Sequence, residues 1–282
     1  MRNLVVAVAW LAVLAVCGCV HRAALPSPPK PIEFQRSITF YDHPLDLHLA
    51  RPAHLHPGTP LLLYATGDGG WRGKDVETYR RMTRWGYPVA GFSAPSYLKH
   101  LGFVSDTTTP GRLARDYQRL IEFAKATLSL PTGTRTILVG MSRGAGLAVV
   151  AAGRPELNAE LAGVLAVALT KEEEYVRQYR VKFGKSPSDM PRREVVEFQT
   201  YEHLDRLQSL PLVVIQSTGD NYLPADAARG LFGPNTALRR LFAIQSRDHS
   251  FTDAREALFE RMAGSLAWIS GMPPASAKRP DR

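Results

Sequence analysis

A short glycine- and serine-containing pattern near the middle of the chain is the feature most typical of catalysis. Residues 140–144 read Gly-Met-Ser-Arg-Gly, between a run of apolar residues and a segment rich in alanine and glycine. Such a turn from strand to helix exposes the serine hydroxyl, and its glycines are needed because neighbouring backbone passes close by. The pattern therefore predicts Ser142 as a nucleophile.

A serine nucleophile needs a base, because its hydroxyl is protonated at neutral pH. His249 follows a predicted strand and precedes the last predicted helix, which suits a chain order of serine, acid and histidine. Asp220 directly follows the strand predicted at 213–216 and is the favoured acid, because an acid there orients the imidazole. Glu172 and Asp226 remain alternatives.

A glycine cluster at 66–71, Thr-Gly-Asp-Gly-Gly-Trp, follows another predicted strand. Backbone N–H groups in such a loop can stabilise the oxyanion of a tetrahedral intermediate. We expect the loop donor to be Asp68, with Gly67 as second choice, and the other donor to be Arg143 after the serine. The cluster lacks the spacing of a phosphate-binding or dinucleotide-binding loop, and no residues have metal-ligand spacing, so we expect no cofactor.

Short apolar runs alternate with helical segments through most of the chain, which indicates a mostly parallel sheet with helices on both faces. With the serine turn, this predicts an α/β-hydrolase fold over residues 36–270. Residues 171–210 interrupt the alternation with charged and aromatic sequence, which predicts a lid-like insertion. Residues 271–282 are expected to form a flexible tail.

The N-terminus has the pattern of an export signal. Residues 3–20 carry no charge and follow Arg2, and the segment 1–19 ends in Cys-Gly-Cys, like a bacterial lipobox with Cys19 as the acylated residue. A cleaved soluble protein and an uncleaved membrane anchor remain alternatives. Residues 20–35 form a proline-rich linker. All three alternatives place the domain outside the cytoplasm, and we expect a lipoprotein in the periplasm.

The chain is basic, with a formal net charge of +9 and a pI near 9.7. Its lysines and arginines are scattered, without a long basic run, and an exported domain rarely meets nucleic acid. We therefore expect no nucleic-acid partner and favour an anionic membrane surface instead.

The chain resembles the VirJ/AcvB-type family of bacterial virulence-associated α/β-hydrolases. The resemblance rests on Gly-Asp-Gly-Gly-Trp at 67–71, Trp-Gly-Tyr-Pro-Val-Ala-Gly at 85–91, the turn around Ser142 and the closing His249. The resemblance implies an exported enzyme that hydrolyses aminoacylated phosphatidylglycerol, above all the lysyl form. Ser142 would then attack the aminoacyl ester and release the amino acid.

A lysyl substrate calls for carboxylates near the acyl group that are not part of the triad. Asp68 and the glutamates at 172–174 are the candidates, so we expect Glu172 and Trp71 to contact substrate. Two other function classes stay open. One is different acyl chemistry, such as that of a general esterase, peptidase, amidase or acyltransferase. The other is a non-catalytic protein of this fold that assists envelope assembly or secretion.

Overall fold

The computed structural model describes residues 30–101, 109–177, 194–207 and 209–271. The predicted signal segment with Cys19, most of the predicted linker and the tail from residue 272 lie outside the described residues. The first described strand begins at Ile32, inside the segment assigned from sequence to the linker.

The elements alternate along the chain as the sequence predicts. The strands are β1 (Ile32–Phe40), β2 (His43–Arg51), β3 (Leu61–Ala65), β4 (Val89–Phe92), β5 (Thr136–Met141), β6 (Leu161–Val167), β7 (Glu172–Arg177), β8 (Glu194–Gln199), β9 (Leu212–Ser217) and β10 (Arg239–Ile244). The helices are α1 (Lys74–Arg84), α2 (Ala94–Leu101), α3 (Pro110–Thr127), α4 (Arg143–Ala152), α5 (Pro155–Asn158), α6 (Thr200–Leu204), α7 (Ala225–Phe232) and α8 (Arg255–Ser270).

One sheet contains eight of these strands, in the order β1-β2-β4-β3-β5-β6-β9-β10. From β4 to β10 all neighbours are parallel, whereas β1 and β2 form an antiparallel hairpin at one edge. Tyr41 and Asp42 form the two-residue turn of this hairpin, with φ of 51° and 64°. Positive φ at both positions matches the twist of the paired strands. The predicted mostly parallel sheet is confirmed.

The two faces of the sheet are covered by different helices. Side chains of α3 and α4 pack on one face, and those of α1 and α8 pack on the other. The central strands β3 and β9 are buried along their whole length, because helices cover both of their faces. This burial explains why these strands read as continuous apolar runs. The carboxyl ends of the parallel strands meet at one edge of the sheet, where the predicted catalytic residues lie.

The segment 171–210, predicted as a lid-like insertion, contains ordered elements. Strands β7 and β8 pair antiparallel in a separate two-stranded sheet. Beyond β8, the chain returns to the body of the domain, and it buries apolar side chains at roughly helical spacing. These side chains are Tyr201, Leu204, Leu207 and Leu210. Residues 200–210 therefore contribute to the core, and residues 178–193 lie outside the described residues.

Gly144 allows a close contact between α4 and the end of β3. A Cβ atom added at Gly144 would lie 2.1 Å from the carbonyl oxygen of Ala65, far inside van der Waals contact. Gly264 in α8 differs, because an added Cβ would meet no atom within 4 Å. The first glycine is required by packing, whereas the second leaves open space.

We expect Gly144→Ala to lower the free energy of unfolding by about 3 kcal/mol or more, because backbone must shift to relieve the clash. Gly264→Ala is the matched control and should raise that free energy by about 0.5–1 kcal/mol, because alanine favours the helix. Urea unfolding followed by circular dichroism measures both. Equal effects of the two substitutions would contradict the proposed role of Gly144.

Candidate active site

Ser142 lies on a sharp turn between β5 and α4. Its backbone has φ 52° and ψ −118°, a strained conformation for a residue with a side chain. The turn is held by the Ser142 N–H, which donates to the Val167 carbonyl at 2.8 Å, and by the Ser142 carbonyl, which accepts from Ala145. A Cβ at Gly140 would lie 2.1 Å from the Gly144 carbonyl oxygen. The structure thus gives the glycines of the sequence pattern the roles expected for them.

The structure brings the three predicted catalytic residues into one hydrogen-bonded chain. The His249 Nε2 lies 2.8 Å from the Ser142 Oγ, and the His249 Nδ1 lies 2.7 Å from an Asp220 carboxylate oxygen. An ionised carboxylate only accepts, so Nδ1 carries the proton and Nε2 is free to accept from the serine hydroxyl. This is the arrangement that activates a serine for attack.

Asp220 is almost fully buried, at 1% exposure, and its carboxylate is surrounded by donors. One oxygen accepts the Gln216 Nε2 at 3.0 Å as well as His249. The other oxygen accepts the backbone N–H groups of Tyr222 at 2.8 Å and Leu223 at 3.3 Å. These bonds compensate the cost of burying a charge. Sequence reasoning did not identify Gln216, although its position four residues before the acid is local.

The alternative acids lie elsewhere. Asp226 is exposed in the first turn of α7, and the Glu172 side chain pairs with Lys171 at 3.3 Å. The described structure shows no hydrogen bond from either carboxylate to His249. The geometry therefore favours Asp220.

The loop that carries His249 is shaped by its neighbours. The Asp248 carboxylate accepts the N–H groups of Ser250 at 2.9 Å and Thr252 at 3.0 Å. The backbone bond from Thr252 is the main reason that the pKa of Asp248 lies below its usual value. Phe251 is fully buried with φ 54°, which anchors the loop in the core. Asp248 thus orders the loop and leaves His249 to Asp220.

A half-buried carboxylate engages the loop after β3. Asp75 in α1 accepts both the Tyr64 hydroxyl at 2.6 Å and the Gly67 N–H at 3.1 Å through Oδ1. Burial raises the pKa of Asp75, and it also raises the pKa of Tyr64 well above its usual value. Because the Gly67 N–H is already bonded, Gly67 does not suit the role of oxyanion donor. Asp68 is the better candidate in this loop.

Asp68 and Arg143 are joined by their side chains. The Arg143 Nε donates to one Asp68 carboxylate oxygen, and Nη2 donates to the other at 3.2 Å. Asp68 and Arg143 are the residues whose backbone N–H groups we predict as the two oxyanion donors. A bidentate pair of this kind fixes relative orientation as well as distance. It therefore links the loop after β3 to the serine turn.

Trp71 and Glu172, predicted to contact substrate, do not line the cavity at Ser142. The Trp71 ring stacks on His48, with ring centroids 3.8 Å apart, and packs edge-on against Tyr79. A Cβ at Gly91 would meet the Trp71 ring at 2.5 Å, so the indole occupies the space above that glycine. Trp71 thus packs the start of α1 against the sheet. Its predicted contact with substrate gains no support from this position.

A cavity of about 440 Å³ opens beside Ser142. Its lining combines glycines of the loop after β3, charged residues of α1 and α8, and residues around His249. The lining residues are Gly67, Asp68, Gly69, Arg72, Gly73, Lys74, Asp75, Met141, Ser142, Tyr222, His249, Ser250 and Arg255. No group of three metal-ligating side chains occurs within the described ranges. The cavity can hold a small ester with charged substituents.

Tyr222 partly covers the histidine and was missed by sequence reasoning. Its side chain is 68% exposed, and its ring lies edge-on to His249, with centroids 4.7 Å apart. An exposed aromatic ring at the mouth of a cavity can contact the apolar part of a ligand. The only sequence signal is an aromatic residue two positions after the predicted acid.

The sheet order, the serine turn and the triad geometry define an α/β-hydrolase fold, and solved structures agree. A candidate dienelactone hydrolase from Klebsiella pneumoniae is 14% identical with a TM-score of 0.59, covering 85% of this chain and 99% of that chain. The Pyrococcus furiosus esterase Pf2001 is 15% identical with a TM-score of 0.58, covering 84% and 93%. Thermogutta terrifontis esterase 2, phosphorylated by paraoxon, is 14% identical with a TM-score of 0.56, covering 88% and 98%.

Within this fold class, one family model matches part of the chain. Residues 60–197 match the family model of VirJ, described as a bacterial virulence protein. The match includes the loop after β3 and the serine turn, and it confirms the family resemblance seen in the sequence. No curated protein sequence matches the chain significantly.

We expect the Asp68–Arg143 pair to act on turnover more than on binding. Arg143→Met keeps the backbone N–H of residue 143 but removes the ion pair to Asp68 and so releases the loop after β3. It should lower kcat for 4-nitrophenyl acetate about tenfold with little change in KM. The reason is that oxyanion donors act on charge that develops only in the transition state. A double variant that reverses the pair, Asp68→Arg with Arg143→Asp, should recover part of the kcat that Arg143→Met loses.

Arg84→Met, at the far end of α1, is the control for loss of an arginine. If Arg143→Met and this control have the same kcat, the ion pair has no role in turnover.

Proposed function

We propose that the protein is a serine ester hydrolase that works through an acyl-enzyme. The observation that carries this proposal is the hydrogen-bonded chain of Ser142, His249 and Asp220 at the end of a cavity. Ser142 is only partly buried, so a substrate can reach its hydroxyl. The solved structures of similar fold include esterases.

In the proposed mechanism, the Ser142 Oγ attacks the ester carbonyl carbon while the His249 Nε2 takes the hydroxyl proton. The carbonyl oxygen becomes an oxyanion, which accepts from the N–H groups of Asp68 and Arg143. His249 then gives its proton to the leaving alcohol, and an acyl-enzyme forms. Water repeats the sequence to release the acid, and Asp220 stabilises the charged imidazole throughout.

We expect Ser142→Ala and His249→Ala each to lower kcat for 4-nitrophenyl acetate by roughly four to six orders of magnitude, because triad members act as a unit. A fluorophosphonate probe, which reacts with an activated serine, should label the wild-type protein but not Ser142→Ala. Ser37→Ala and His56→Ala are controls on the surface of the same domain. Wild-type turnover by a folded Ser142→Ala protein would refute the assignment. Absence of labelling and turnover in the wild type would favour a non-catalytic role.

For the physiological substrate, we propose aminoacylated phosphatidylglycerol, in particular the lysyl form. The match to the VirJ family model supports this proposal through the activity that the family resemblance implies. The cavity also supports it, because charged groups of both signs line it and such a lipid carries both an amino group and a phosphate.

For the amino group of this substrate, we propose a carboxylate other than those expected from sequence. The Asp68 carboxylate is bound to Arg143, and the Glu172 side chain does not line the cavity. The side chains of residues 173–177 lie outside the described part of the structure. Asp75 does line the cavity, and its two hydrogen bonds from Tyr64 and Gly67 both go to Oδ1. We therefore assign Asp75 Oδ2 as the contact for the substrate ammonium group.

We expect the purified protein to release lysine from lysyl-phosphatidylglycerol faster than alanine from alanyl-phosphatidylglycerol, in mixed micelles. Asp75→Asn should lower the ratio of these rates, because asparagine keeps an acceptor for Tyr64 and Gly67 but loses the charge. Ser142→Ala is the control for enzymatic release. Cleavage of 4-nitrophenyl acetate without release from either lipid would replace this proposal by a general esterase. An unchanged ratio of these rates in Asp75→Asn would refute only the assignment of Asp75 and would leave the proposed substrate standing.

We also propose that the protein is exported to the periplasm and attached to a membrane through a lipid on Cys19. The support is the lipobox-like sequence at 16–19, followed by the proline-rich linker. Every helix in the described part of the chain is too short or too polar to cross a membrane.

Cys19→Ser should move the protein from the membrane fraction to the soluble fraction while activity on 4-nitrophenyl acetate is retained, because the catalytic domain is unchanged. Fractionation of cells followed by intact-mass analysis measures both location and modification. A mature protein that starts at an unmodified Met1 would contradict the proposal.

A further inference from the structure

The charges around the cavity do not balance locally. Two opposite pairs cancel: Arg143 binds Asp68, and Arg255 binds Glu77 at 3.2 Å. Among the charged side chains that line the cavity, this leaves the two cations Arg72 and Lys74 against one carboxylate. That carboxylate, Asp75, accepts hydrogen bonds from the Tyr64 hydroxyl and the Gly67 N–H. This side of the cavity is therefore positive.

Arg72 and Lys74 line the cavity without an ion-pair partner in the part of the chain that the structure describes. Over the described ranges, neither side chain forms an ion pair within 4.0 Å. The Lys74 charge helps to lower the pKa of Asp248 on the histidine loop, but Asp248 Oδ1 already accepts two backbone N–H groups. Exposed cations without a partner are common on protein surfaces, but these two line the same cavity as the nucleophile.

The position of Lys74 shows which part of an ester these cations would meet. The Lys74 Nζ donates to the Thr252 hydroxyl at 2.8 Å, and Thr252 follows His249 by three residues on the same loop. In the proposed mechanism His249 protonates the leaving alcohol, so the alcohol must depart past this loop. Lys74 thus lies on the side of the alcohol, and Arg72 lines the same cavity.

We propose that Arg72 and Lys74 form a subsite for a phosphate group carried by the alcohol part of the ester. The proposal rests on Ser142 being the nucleophile of an ester hydrolase, and it adds the residues that bind the phosphate of the alcohol. A guanidinium group can bind two phosphate oxygens at once, and a lysine ammonium adds a point charge. The phosphate belongs either to a soluble phosphorylated alcohol or to the headgroup of a phospholipid.

The first experiment measures binding without turnover. The Ser142→Ala protein is titrated with glycerol 3-phosphate, with glycerophosphoglycerol and with glycerol, and dissociation constants are taken from ligand-dependent shifts in melting temperature. We expect both phosphate compounds to bind and glycerol not to bind. Adding Arg72→Gln and Lys74→Gln together should raise both dissociation constants about tenfold or more, since two charge-assisted contacts are lost.

Arg80→Gln with Arg84→Gln is the matched control, because it also removes two exposed cations from α1. Equal dissociation constants in the two double variants would overturn the subsite. Tighter binding of glycerophosphoglycerol would identify a phospholipid headgroup as the source of the phosphate, and tighter binding of glycerol 3-phosphate would identify a soluble alcohol.

The second experiment measures selectivity in the active enzyme. The ratio of kcat/KM for 1-acetylglycerol 3-phosphate to that for 1-acetylglycerol should exceed one and fall about tenfold in Arg72→Gln with Lys74→Gln. A ratio that is the same in both double variants would overturn the subsite while leaving ester hydrolysis intact. Failure to cleave either ester would count against the proposed function, and the binding experiment would still decide the subsite.

Discussion

The close contact between the start of α4 and the end of β3 is the constraint on which the site depends. Because Gly144 has no side chain, the helix can begin directly against the Ala65 carbonyl. This fixes the sharp turn before the helix and holds Ser142 at positive φ, with its hydroxyl at the carboxyl edge of the sheet. The same contact brings the loop after β3 beside the serine turn, which allows Asp68 to reach Arg143. This one approach of backbone to backbone thus positions Ser142, the proposed nucleophile, and both predicted oxyanion donors.

The second requirement is a buried carboxylate that stays available to the histidine. Burying a charge without hydrogen bonds would cost roughly several kcal/mol and would favour the neutral acid. Asp220 avoids this because two backbone N–H groups satisfy one oxygen, while Gln216 and His249 share the other. The backbone donors lie in the turn directly after β9, so the end of one strand supplies both the acid and most of its hydrogen bonds. Such an acid can orient the imidazole without reorganisation during turnover.

The charges of the cavity are arranged in zones. The Asp68–Arg143 pair lies beside the serine turn, and Asp75 lies beneath the loop after β3. Lys74 contacts the histidine loop, and Arg72 lines the same cavity. An arginine directly after the nucleophile would repel a cationic acyl group if it were unpaired. Pairing with Asp68 removes most of that repulsion, so Arg143 and a lysyl ester are compatible. An ester with an amino group on the acyl side and a phosphate on the alcohol side fits these zones.

The sequence by itself determined the sheet, the serine turn and the positions of His249 and Asp220, because each has a local signal. Apolar runs mark buried strands, and polar residues directly after them must lie at the carboxyl edge. Only the tertiary structure decided which hydrogen-bond and packing partners these side chains have. Asp75 takes the Gly67 N–H, Arg143 takes the Asp68 carboxylate, and Trp71 packs over Gly91 instead of facing the cavity. These outcomes depend on the spatial approach of segments far apart in the chain or on the direction of one side chain, and neither leaves a periodic pattern in the sequence.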